Sequence, residues 1–105
     1  SQSVVGAIGV AKDKGAFWFG TQWDQTTLAP EAVIASQVYD WTGAMKDMIA
    51  SHLAGVMGGK AYTLTFKNGG LVIVYNDAID VPAEVKAAAD AAIEGIKDGS
   101  IKPLP

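Results

Sequence analysis

The sequence has no cysteine, no arginine and a single histidine, and no apolar run approaches the ~18 residues that a membrane-spanning helix needs. Without cysteine there is no disulfide, no thiolate zinc site and no cysteine nucleophile, and the redox compartment stays open. The 8 basic residues are all lysines and face 11 acids, giving a net charge of −3 and a pI of about 4.8. Phosphate contacts dominate nucleic-acid affinity, so an acidic chain without arginine is not expected to bind nucleic acid. Only 18% of the 105 residues are charged and half are apolar, which predicts one domain with a packed core. An initiator methionine and a charged leader are also missing before Ser1-Gln2-Ser3, as expected of a processed chain or a piece of a longer one.

What is present alternates between helix and strand signals. Ser3 is expected to cap a helix through Val4, Val5, Ile8 and Ala11, with Lys12 and Lys14 in its last turn and Gly15 as its stop. Ala16-Phe17-Trp18-Phe19, ended by Gly20, reads as a strand covered on both faces. Thr21–Pro30 is an aperiodic polar loop, and Ala32–Val38 reads as a second strand. Asp40 is placed as the N-cap of a helix with Trp41, Met45, Met48, Ile49 and Leu53 on one face, stopping at Gly55. Lys67-Asn68-Gly69-Gly70 between Tyr62–Phe66 and Leu71–Tyr75 predicts a β-hairpin. Pro82 and Glu84 open a last helix through Val85, Ala89, Ala92, Ile93 and Ile96, ending near Gly99. The order implies an α/β fold, a small mixed sheet with a β-hairpin flanked by about three helices.

Few residues suggest chemistry. His52 needs no role beyond a helix end, since no serine and carboxylate pattern converges on it. Gly58-Gly59-Lys60 lacks the upstream glycine and following hydroxyl of a phosphate loop. Asp77 and Asp80 lack the register and distal glutamate of a calcium loop and read instead as capping the last helix. No catalytic set, metal site or cofactor site is expected. The loop after the first strand stands apart, because open α/β sheets bind ligands beyond the carboxyl ends of their strands. It carries Gln22, a donor and acceptor; Trp23, a flat apolar surface; and Asp24, an acceptor for hydroxyls or amines. The bland alternative is a loop whose tryptophan packs on the core and whose aspartate caps a turn. Tyr39 and Trp41 raise the same question one strand later, with Trp41 equally explained as a core residue of its helix.

Gly20-Thr21-Gln22-Trp23-Asp24-Gln25, Leu28-Ala29-Pro30 and Val33-Ile34-Ala35-Ser36 together resemble the basic membrane protein family, the substrate-binding lipoproteins of bacterial ABC importers. The likeness extends to Val4–Gly15, Tyr39-Asp40-Trp41, Leu53-Ala54-Gly55, Lys67–Val72, Val81–Val85 and Ile96–Lys102. It implies part of a type I periplasmic-binding-protein lobe, with residues 1–105 forming one domain that matches the C-terminal third of a two-lobed protein. The implied activity is non-catalytic capture of a small polar or nucleoside-like solute and its delivery to the transporter permease. The implied location of the full-length parent is periplasmic or cell-surface, held by a lipid anchor. Many members have aspartate where Gln22 stands, while the second carboxylate is kept as Asp24. Nucleoside-binding members have lysine where Tyr39 stands, so both departures widen the expected ligand beyond nucleosides. Gln22 and Asp24 are the first ligand-binding candidates, with Trp23, Tyr39 and Trp41 behind them. A free-standing α/β module that dimerises through an exposed sheet edge is the alternative.

Overall fold

A computed structural model describes residues 2–103. The elements run α1 (Gln2–Asp13), β1 (Trp18–Gln22), a 3-10 turn (Thr26–Leu28), β2 (Val33–Tyr39), α2 (Thr42–Leu53), β3 (Leu71–Tyr75) and α3 (Ala83–Asp98). The fold is α/β, with three helices and one three-stranded sheet of order β1-β2-β3. β1 and β2 are parallel. The amide of Asn76 donates to Ile34 O at one end of the β2–β3 pair and that of Asp40 to Gly70 O at the other, so β3 is antiparallel and the sheet is mixed. The chain divides into two compact units, Ser1–Val38 with Ile73–Ala88 and Tyr39–Val72 with Ala89–Pro105.

The first unit holds the buried apolar core. Ile8, Ala29, Ala32 and Val33 form it, and Val4, Trp18 and Leu28 pack against it. On α1 only the Val4, Ile8 and Ala11 line turns inward, while Val5 and Val10 are exposed. The helix already includes Gln2, so Ser3 lies inside its first turn and is not the N-cap. Its end is the expected one: Gly15 N–H donates to Lys12 O and Ala16 N–H to Ala11 O, a closure that needs the positive φ of +65° found at Gly15.

Two expectations for β1 are corrected. Phe17 and Phe19 are 64% and 67% exposed, so the strand is not covered on both faces. Nor does Gly20 end it. Gly20 is a buried residue inside the strand, and a Cβ there would collide with the side chain of Ser36 on β2. Glycine serves close approach here and not termination. At the far end of the unit, Asn76 is buried with its Nδ2 donating to Pro30 O (2.6 Å) and Val33 O (2.7 Å), and its Oδ1 accepting from Ala78 N–H (2.9 Å).

In the second unit, Trp41 occupies the N-cap position of α2, and Asp40 lies one residue outside it. Asp40 Oδ1 still accepts from Thr42 N–H at 2.9 Å, so the carboxylate caps from the preceding position. The apolar face expected on α2 exists, but only Met48 is half-buried; Trp41, Met45, Ile49 and Leu53 are exposed. The turn over 66–69 forms as expected, yet Tyr62–Phe66 is not a strand. The Asn68 side chain accounts for this. It donates to Thr63 O (2.7 Å) and accepts from Thr65 N–H (2.9 Å), occupying backbone groups that a hairpin ladder would use. Gly99 follows the C-terminal half of α3 with φ +85°, and Gly95 is buried against Ile101.

Candidate functional site

β1 ends at Gln22, and the three candidates that follow one another there lie in the first unit. The loop owes its shape to a residue that the sequence places among its polar groups but does not mark as a site residue, Gln25. Gln25 is 3% exposed, and its side chain and backbone N–H together join three partners. Its Oε1 accepts from Trp18 Nε1 (3.0 Å), its Nε2 donates to Thr21 O (2.9 Å), and its backbone N–H donates to Ser36 Oγ (3.1 Å). Gly20 leaves the space in which this network closes. The hint lay in a buried-strand pattern beside a glycine and a small hydroxyl, Gly20 and Ser36, but periodicity does not say which glutamine faces inward.

Asp24 is exposed, and its Oδ1 accepts from both the backbone N–H and the hydroxyl of Thr26. Those bonds, the hydroxyl's first, hold its carboxyl below the usual aspartate range. Asp24 therefore braces the turn into the 3-10 segment, as the bland reading had it, and remains ionised at neutral pH. Gln22 differs from both neighbours. It is exposed, and it has a backbone φ of +77°, the one positive φ outside glycine among the described residues. A non-glycine residue in that region costs on the order of 1–2 kcal/mol. Beside it Trp23 is about half exposed, not packed into the core.

Tyr39 and Trp41 lie in the second unit, where they pair edge to face with ring centroids 6.3 Å apart and planes at 66°. Both are exposed. The Asp40 carboxyl between them is held below its ordinary range by the hydrogen bonds from Thr42. A groove of about 570 Å³ opens in this unit, lined by Asp40, Asp47, Lys60, Tyr62, Asn68 and the Gly69-Gly70 backbone among others. None of the five predicted residues lines it. Lys60 Nζ stands 3.9 Å from Asp47 Oδ2 and 4.9 Å above the Tyr62 ring. No spacing in the sequence pointed to this trio, because its members come from α2 and from the irregular segment after it.

The predicted residues offer amide, aromatic and carboxylate groups. Among the described residues no three His, Asp or Glu side chains gather as a metal site, and no helix is long and apolar enough to cross a membrane. No protein-family model matches the chain, and comparison with curated proteins gives no match either.

Proposed function

We propose that this chain is the C-terminal part of a substrate-binding protein of a bacterial ABC importer, and that it contributes one wall of a site that captures a small polar or nucleoside-like solute without chemistry. The observation that carries the reading is the backbone of Gln22. Strained conformations persist where the surroundings over-determine them, and they concentrate at ligand sites. Gln25 supplies that over-determination through Trp18, Thr21 and Ser36, leaving Gln22 exposed beside Trp23 at the carboxyl end of a parallel strand. The amide can donate and accept, and the indole can stack on a heterocycle. In the full-length parent the captured solute passes to the transporter permease, on the outer side of the membrane.

The test is a titration of the ¹⁵N-labelled chain with inosine and, separately, with uridine, followed by amide and indole resonances. One wall alone binds weakly, so shifts at Gln22, Trp23 and the Trp23 indole are expected at millimolar nucleoside. Gln22→Gly keeps the backbone conformation and removes the amide, so it should abolish those shifts while leaving Trp18 and Gln25 resonances in place. Shifts confined to Asp47, Lys60 and Tyr62, or none at Gln22 and Trp23 with either nucleoside, would refute the assignment of a nucleoside-like ligand to this loop.

A further inference from the structure

The second unit exposes an apolar surface that the solute-binding reading does not use. Trp41, Met45, Ile49 and Leu53 follow one another at four-residue spacing along α2, and Val56 and Met57 extend the surface past its end. Each is at least half exposed, and Leu53 and Met57 are 80% exposed. Together they present on the order of 800 Å², well above the few hundred Å² of an ordinary monomer patch and about one partner's share of a standard interface.

We infer that this face is an interface between two copies of the chain. Three observations point to a second copy. The area matches what a stable dimer needs from each side. The six residues carry no charge, and the ionic side chains around them are of both signs, Lys46 and Asp47 on the helix and Lys60 at 3.9 Å from Asp47, so a copy can dock without burying a lone ion. Such a face also lacks the cationic polar flank that holds an interfacial helix on a lipid surface. Finally, the surface contains a socket as well as projections. A hollow of about 160 Å³ lies beside Val56 and Met57, lined also by Met48, His52, Tyr62 and Lys60, whose ammonium stands 3.9 Å from Asp47 Oδ2. That is close to the ~150 Å³ that admits one benzene. Leu53 projects at the same end of α2, so a two-fold axis near that end carries the Leu53 of each copy into the hollow of the other. The contact is isologous and closes at two copies. It also places self-association on α2 and not on an edge of the sheet.

Sedimentation velocity of the whole chain from about 1 to 200 µM tests this. A monomer–dimer equilibrium is expected, weakened at least tenfold by Leu53→Glu and by Met57→Glu. Met57 lies outside the helix, so its variant keeps the test informative even if the α2 variant fails to fold by circular dichroism. Phe19→Glu, on the exposed edge strand β1, should leave the dimer constant within about threefold. The inference is overturned if the chain is monomeric throughout, if folded Met57→Glu dimerises like the parent sequence, if Phe19→Glu is the variant that dissociates it, or if a monomer pellets with phosphatidylcholine vesicles.

Discussion

Asn76 gives the sharpest quantitative handle on the fold. It is 5% exposed, and its side chain makes three hydrogen bonds: two donated to Pro30 O and Val33 O and one accepted from Ala78 N–H. Asn76→Ala removes all three and takes a partner from two carbonyls and an amide, with the bond to Val33 O buried and the other two part-buried. At about 1 kcal/mol for each of the three bonds, the loss should be about 3 kcal/mol. Total stability for a domain of this size is about 5–15 kcal/mol, so the effect is a large fraction of it. Equilibrium urea unfolding, read by tryptophan fluorescence, should give a midpoint far below the parent's with little change in slope.

Asn76→Asp separates the donors from the acceptor. The acceptor facing Ala78 is kept, but an oxygen replaces Nδ2 opposite two carbonyls. Ionised, that carboxylate is repelled from both; protonated, it can still donate to one. Its folded pKa is therefore raised above the ~3.9 of an unfolded aspartate. A raised acid binds more protons folded than unfolded, so the Asn76→Asp variant should lose stability as pH climbs from about 4 toward 7. At pH 3.5 it should match or exceed Asn76→Ala; at pH 7 it should be about 1–2 kcal/mol worse. A cost below about 1 kcal/mol for Asn76→Ala, or a pH-independent Asn76→Asp, would refute the reasoning.

Gly20→Ala should cost about 2–3 kcal/mol in the same urea assay, because the new Cβ meets Ser36 Cβ and Gln25 Oε1 at 3.1 Å and Ser36 Oγ more closely still; a cost within 0.5 kcal/mol would mean that β1 and β2 separate freely. Asp24, Glu31 and Asp40 are held below their ordinary range by Thr26, Lys12 and Thr42 respectively, so the stability they add is complete above their unfolded values near pH 4 and fades as pH falls through their lowered folded values. Lys12 has the opposite sign: its pKa is raised from 10.5 by Glu31, and its contribution fades only as pH rises through that raised value. Urea midpoints that do not fall between about pH 4 and pH 2.5, in the parent or less steeply in Asp24→Asn, would contradict the acid limb.

The helices were readable because their signals are local. Gly15, Gly55 and Gly99 lie just past the three helix ends, each at positive φ, and the apolar spacing of Val4, Ile8 and Ala11 set the inward line of α1. The departures arise where a side chain competes with the backbone or where a partner lies far along the chain. Asn68 in the Asn-Gly turn is a turn former, as the sequence implies, but its side chain also takes the backbone groups of the preceding arm and prevents the strand there. Nothing local marks Asn76, which stands beside the acids Asp77 and Asp80. Its real partners lie 43 and 46 residues away, and no spacing rule reaches that distance. Burial also fails to follow from apolarity alone. Phe19, Met45 and Leu53 fit strand and helix patterns, but a pattern states which face is apolar and not whether anything covers it.

The candidate loop makes the same point with two identical side chains. Gln22 and Gln25 are three residues apart and equally polar, yet one is exposed and the other buried. The difference lies in what surrounds Gln25: a glycine with no Cβ, a serine hydroxyl and a tryptophan N–H, each placed by the parallel pairing of β1 with β2. That pairing is long-range and cannot be seen in the loop itself. Its consequence is a separation of duties. Because Trp18, Thr21 and Ser36 hold the loop through Gln25, the conformation of Gln22 does not depend on the Gln22 amide making any bond of its own. A change at Gln25 must then act first on folding, and a change at Gln22 can act on recognition with the fold intact.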